Sequence, residues 1–265
     1  MDVGKLHGTR GIGVISDYED QPLLIHSHLG NFAIVTVGVL KNRDKIVDSV
    51  FKARQVHFSE MRDGEINPTE VVAALISQGE SFAEGVRIAG EAIDGSCSIL
   101  LLTDKGVIAA RDRRGRTPVI IGKKPGALAA ALETCAFPNL DCEIVRDLGP
   151  GEIVRLSADG VEPLAPADGQ SQICGFLWVY YGYPASSYEG INVESVRNRC
   201  GAMLRGTTPS RSISSQESPT RARATAWAMP PKPASPTAGP SSSTRRPGPA
   251  VSCPRTRRCG TSSPE

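Results

Sequence analysis

No cysteine precedes Cys97, no histidine follows His57, and aromatic residues make up only 5% of the 265 residues. Each shortage excludes something. The seven cysteines are odd in number and include no C-x-x-C pair, so neither a zinc site nor a disulfide framework is indicated. Such cysteine usage fits a reducing cytoplasm. No run approaches the roughly eighteen apolar residues that a spanning helix needs. No basic, then apolar, then small-residue N-terminus marks a signal peptide, and no membrane partner is expected. With 40% hydrophobic residues and a formal net charge of +2, the chain can bury the core of one large domain or two small ones. The mean charge hides a division. Up to Arg205 there are 26 acidic and 21 basic residues; from Gly206 onward there are 2 and 9. The two parts need separate explanations.

The strongest pattern runs from Glu91 to Gly122. Ser96 to Leu102 is a nearly continuous apolar run, the mark of a strand covered on both faces. Asp104-Lys105-Gly106 supplies a turn and Val107 to Ala110 the return strand. A charged loop, Arg111 to Arg116, leads to a further strand over Thr117 to Ile121. An ordinary antiparallel meander accounts for this pattern equally well. Upstream, Gly11 to Ser16 reads as a short strand and Asn31 to Leu40 as a strong one. Asp44 to Phe58 reads as a helix with Ile46, Val47, Val50 and Phe51 on one stripe. Asn67-Pro68-Thr69-Glu70 opens a second helix, with Asn67 as N-cap, Pro68 in the first turn and Glu70 completing a capping box. Its stripe is Val71, Val72, Leu75 and Ile76. Ser81 to Ile93 is a third helix. Downstream, 126–132 is a strand or short helix, Pro150-Gly151 makes a turn and 152–156 a strand. Val193, Val196 and Cys200 share one helical face. His7 and His57 are lone histidines best read as surface or structural. Cys135 has no base near it in sequence and reads as a structural thiol.

Several of these stretches resemble the glutaminase domain of amidophosphoribosyltransferases, a class II glutamine amidotransferase domain of the Ntn-hydrolase type. That family carries G-[AS]-[YF]-S followed by ARDPxGxRPLxxG; here stand Gly95-Ser96-Cys97-Ser98, Ala110-Arg111-Asp112, Arg116-Thr117-Pro118 and Ile121-Gly122. Glu133-Thr134-Cys135-Ala136 is similar to the family's S-E-S-[CA]-A, and Arg146 to Val154 to its RDVxPGEIV. Cys174, Phe176, Val179-Tyr180, Pro184, Ser186, Gly190, Val193, Arg197 and Gly201 match its linker into the phosphoribosyltransferase domain. The resemblance covers about residues 8–204. It implies an α+β, four-layer αββα fold over 1–170 with its N-terminal strand missing. A linker and the first helix of a phosphoribosyltransferase domain then occupy 171–205. The family makes phosphoribosylamine from phosphoribosyl pyrophosphate and glutamine, in purine biosynthesis.

The departures bear on the chemistry. The family uses an N-terminal cysteine whose α-amino group is the base for its thiol, and this chain has none there. A histidine-arginine pair of the family is replaced around Val14-Ile15-Ser16. The family's HNGN turn is Thr36-Val37-Gly38-Val39 here, so Val37 stands where an asparagine stabilises the oxyanion, and valine cannot donate a hydrogen bond. Gly38 remains as a backbone donor. Pro68 stands where an aspartate holds the glutamine amino group. The phosphate-binding loop of the second domain is absent. The expectation is therefore no catalytic residues and neither half-reaction catalysed by this chain, with ammonia in place of glutamine in a complete relative. A longer relative would use Mg2+ with phosphoribosyl pyrophosphate, and some members carry an iron–sulfur cluster for which Cys174 is the candidate ligand; this chain by itself is expected to need no cofactor. A homo-oligomer is compatible with the family.

The last 60 residues hold 11 of the 20 prolines and few apolar groups beyond Ile213, Trp227, Met229 and Val251. Residues 206–265 are expected to be disordered. Read two nucleotides later with free synonymous codons, the stretch from Gly206 through Pro219 and onward can encode DDPVEVDLVAGIPDSGTGH, which carries the family's P-D-S-G; an out-of-frame tail is the expectation. Two other readings remain open: a noncatalytic regulatory or binding module, and a basic-tailed nucleic-acid binder, although nucleic acid is not the expected partner.

Overall fold

The computed structural model describes residues 8–16, 20–52, 61–62 and 65–207. The tail expected to be disordered falls outside them from residue 208 on, as do His7 and His57. Strands β1 (Leu23–Ser27) and β2 (Gly30–Leu40) form a hairpin. Helix α1 (Arg43–Lys52), two short strands β3 (Met61–Arg62) and β4 (Glu65–Ile66), α2 (Pro68–Ile76) and α3 (Phe82–Ala92) follow. Then come β5 (Gly95–Thr103), β6 (Gly106–Ala110), β7 (Ile120–Lys124), β8 (Ala127–Ala131), β9 (Glu143–Asp147), β10 (Ile153–Ser157) and β11 (Gly160–Ala165). The chain closes with β12 (Ser187–Tyr188), β13 (Ile191–Asn192) and α4 (Val193–Thr207).

Two larger antiparallel sheets result, one of six strands in the order β1-β2-β5-β6-β10-β11 and one of three in the order β8-β7-β9, beside the two-stranded pairs β3-β4 and β12-β13. The alternation of side chains along each strand assigns the faces. Cys97, Ile99 and Leu101 of β5, Ile108 and Ala110 of β6, and Phe32 and Ile34 of β2 pack under α1, α2 and α3. Ala109 of β6 and Val154 and Leu156 of β10 face the other way, onto Ile121 of the second sheet and the residues Val119 and Leu148 that flank its strands. The layering is helices, sheet, sheet, and β5 is covered on both sides, as its unbroken apolar run requires.

Helix α2 is buried on all sides from Thr69 to Ile76, so its apolar residues are not one stripe. It is pressed between the six-stranded sheet and its neighbours α1 and α3. Asn67 caps it, its side chain accepting from Thr69 N at 2.9 Å, and Pro68 sits at the first turn. In α1, Ile46, Val47 and Val50 are buried, but Phe51 is 49% exposed. It lies at the edge of the stripe. Gly11 to Ser16 forms no strand, and Ile15 is 99% exposed. Two glycines in six residues withhold the side chains that a strand needs for packing. Strand β7 begins at Ile120 and not at Thr117, because Thr117 belongs to the charged loop. Gly122 is required by close packing: a Cβ there would lie 2.2 Å from Cδ1 of the buried Phe137.

Candidate functional site

The family-like glutaminase positions meet where β2 approaches the start of α2. Thr36 Oγ1 and Thr69 Oγ1 share a hydrogen bond of 2.7 Å. Thr36 N donates to Gln21 Oε1 at 2.7 Å, and Asn67 Nδ2 to the carbonyl oxygen of Asp20 at 3.1 Å. Val37 and Gly38 follow Thr36, and Pro68 precedes Thr69. Gly38 pairs with Cys97 across the β2–β5 ladder. A Cβ on Gly38 would lie 1.8 Å from the carbonyl oxygen of Ser96. The close approach of two backbones is therefore sufficient reason for glycine at this position.

Beside it lies an open groove of about 760 Å³, lined by His26 and His28 of the β1 hairpin and by Glu70, Ser77 and Gln78 of the α2 region. His28 Nε2 lies 2.9 Å from the carbonyl oxygen of Gly79 and so acts as a donor, and His26 Nδ1 contacts Asn31 Oδ1. Sequence reading passed over these histidines. His26 lies on β1 and His28 in the turn that follows it, so no regular spacing in the sequence announced that both would line one groove.

The family-like motifs elsewhere prove to be joints. Asp112 is buried, accepting from Arg114 N at 3.0 Å with one carboxylate oxygen and from Thr117 N at 2.8 Å with the other. It shapes the charged loop as an Asx turn does. Arg111, 5% exposed, donates to the carbonyls of Leu148 and Gly115 at 2.5 and 2.6 Å and to Glu189 Oε1 at 2.6 Å. Glu152 takes a two-pronged contact from Arg146 at 2.7 and 2.8 Å and a bond from Gly149 N at 2.8 Å. Burial opposes ionisation of Glu152, but Arg146 and the Gly149 N–H outweigh it and hold its carboxyl below the ordinary 4.5. A carboxyl depressed in the folded state contributes stability above its unfolded value, lost as pH falls through the folded value. Glu152→Gln is therefore expected to cost about 1 kcal/mol at neutral pH, with Arg146 partly solvated. Urea melts should show the gap to wild type closing as pH drops below 4.5; a constant gap would contradict the assignment. Asp147 shifts the opposite way, raised by burial and by Glu189, but it is common to both proteins and cancels.

Glu133 accepts from Ser186 Oγ at 3.1 Å, Cys135 Sγ at 3.3 Å and Tyr188 Oη at 3.2 Å. Burial, followed by the nearby Glu133, pushes both the Cys135 thiol and the Tyr188 hydroxyl up, although the Ser186 contact draws the thiol partly back. Cys135 is thus a poor nucleophile at neutral pH. Cys174 is exposed, and among the described residues no group of three or more His, Cys, Asp or Glu could hold a metal. An iron–sulfur cluster needs four protein ligands, so the residues present around Cys174 do not fit one. The described residues likewise offer no set of carboxylates for Mg2+. No helix among them is long and apolar enough to cross a membrane.

A model of the glutamine amidotransferase domain family matches residues 9–139. The amidophosphoribosyltransferase of Methanocaldococcus jannaschii is 28% identical over 200 residues, 69% of this chain and 42% of the relative. That of Bacillus subtilis is 28% identical over 215 residues, covering 77% and 44%. Among solved structures, the glutamine phosphoribosylpyrophosphate amidotransferase of B. subtilis complexed with ADP and GMP superposes with a TM-score of 0.66 at 26% identity, over 79% of this chain and 46% of that one. A second, described as the allosteric regulatory enzyme of purine biosynthesis, gives 0.65 at the same identity. The chain spans less than half the length of these relatives. Its stacked antiparallel sheets and flanking helices are the α+β, Ntn-hydrolase-type architecture of their glutaminase domains. Residues 9–139 thus match the glutamine amidotransferase domain family, and the chain is similar to the amidophosphoribosyltransferases in sequence and fold.

Proposed function

We propose that this domain is the glutaminase-type body of an amidophosphoribosyltransferase-like protein of purine biosynthesis, and that it does not hydrolyse glutamine. The observation that carries the reading is the pair Val37 and Pro68, on either side of the Thr36–Thr69 contact. A tetrahedral oxyanion needs donors aimed at it, and losing one side-chain donor commonly costs about 10²–10³ in kcat. Valine offers none. Proline in place of a carboxylate removes the charge that would hold a substrate amino group. Gly38 remains a backbone donor without a partner amide. Nitrogen for phosphoribosylamine would then arrive as ammonia, in a chain that also carries the phosphoribosyl pyrophosphate site. Incubated with glutamine, the protein is expected to release glutamate no faster than buffer alone. Turnover above that background would overturn the reading.

A further inference from the structure

Residues 174–207 form an arm with its own small core. Trp178, Tyr188 and Val193 pack together with Leu177 and Val196, separately from the two cores of the body. Trp178 and Tyr188 meet edge to face, with ring centroids 5.8 Å apart. Buried Arg197 of α4 donates to the carbonyls of Trp178 and Gly182 at 2.9 and 2.8 Å, closing a π-helical turn over Leu177–Tyr181. The arm meets the body through polar groups. Ser186 and Tyr188 both donate to Glu133, Ser187 N donates to Thr134 Oγ1 at 2.7 Å, and Glu189 pairs with Arg111. Interfaces of this polar kind are the ones across which parts of a chain move.

Glu189 carries the sharpest signal. It and Gly190 form the two-residue turn between β12 and β13 with φ of 51° and 75°. Such a turn favours Asn-Gly, since positive φ is costly for a long side chain. A glutamate held there, aimed at a guanidinium that is itself buried, indicates that the pairing outweighs the strain.

We propose that Glu133 and Glu189 are positioning residues: a two-point carboxylate latch that docks the arm on the glutaminase-type body and so sets the direction in which α4 leaves it. The latch does not depend on the loss of glutamine chemistry, and it holds equally for a body that hydrolyses glutamine. Glu133 grips the start of the small hairpin and Arg111 its tip, 78 residues apart in sequence from Glu189. With both engaged, the arm has one seat. With either released, the arm keeps its own core but loses its orientation.

Hydrogen–deuterium exchange on the full chain tests this. Glu189→Gly removes the carboxylate while suiting the turn's backbone, and Glu133→Gln weakens the other point without changing side-chain size. Each variant is expected to speed exchange at least tenfold in the peptides that carry the docking amides, Cys135 N and Ser187 N, with β5 and β6 exchanging as in wild type. Unchanged exchange at these docking amides for both variants would overturn the latch. Equal acceleration at the docking amides and in β5–β6 would also overturn it, since the arm would then be an inseparable part of the body.

Discussion

Gly38→Ala is expected to leave little folded protein at 37 °C. The added methyl would enter the space between β2 and β5, 1.8 Å from the Ser96 carbonyl oxygen and 2.7 Å from Cys97 Cα. These are backbone atoms in the middle of an eight-pair ladder that runs from Ala33–Leu102 to Leu40–Gly95. No side chain can turn aside to make room. Either the two central strands part locally or β2 shifts, and both disturb the core that Phe32, Ile34, Ile99 and Leu101 build under the helices. Overpacking of this kind costs about 3 kcal/mol, a large share of the stability of an ordinary domain. Thermal melts followed by circular dichroism would show it as a large drop in Tm. A variant melting within a degree or two of wild type would mean that the glycine is not needed for packing, and its backbone N–H would then be the reason for keeping it.

Arg111→Met is expected to be nearly as damaging, for an electrostatic reason. Methionine fills most of the volume but satisfies nothing. The carbonyls of Leu148 and Gly115 lose their donor, and Glu189 is left facing Asp147 with no cation between them. The two carbonyls left without their buried donor are the main cost, about 2 kcal/mol, and Glu189, at the exposed end of the pair, adds a smaller part. The measurement is a urea midpoint for Arg111→Met beside the double variant Arg111→Met/Glu189→Gly. The double variant should regain part of the loss, since the stranded carboxylate is gone. No recovery would place the whole effect in the two carbonyls and deny Glu189 a role.

Most of the local structure was readable in the sequence where a pattern had length. The run from Ser96 to Leu102, the turn at Asp104 to Gly106 and the Asn67-Pro68 helix start were all legible because each depends on neighbours in sequence. Several strands were not, Glu143–Asp147 and the two-residue strands among them. Leu23–Ser27 is short and lies at a sheet edge with Leu24 largely exposed, so it lacks a run of buried residues. Gly160–Ala165 contains Pro163, which argues against a strand except at an edge, and an edge is where β11 lies. The reverse error, a strand over Gly11 to Ser16, came from apolar residues with no sheet to receive them. The family resemblance was legible, because its motifs are local in sequence. What the motifs do was not legible. Arg111, Glu133 and Glu152 act through partners fixed only by the fold, and no spacing in the chain announces that Glu189 will answer Arg111.

The two departures share a further property. Valine is among the residues best suited to a pleated strand, and position 37 lies within β2. Proline is favoured in the first turn of a helix, where its missing N–H costs nothing and its fixed φ narrows the unfolded ensemble, and Pro68 lies there. Functional groups are often retained against the preference of the element that carries them, at a cost in stability. At both positions this chain has the residue its secondary structure prefers. The corner where β2 meets the start of α2 is thus built from residues that its own elements favour, and it adds to the stability of the domain.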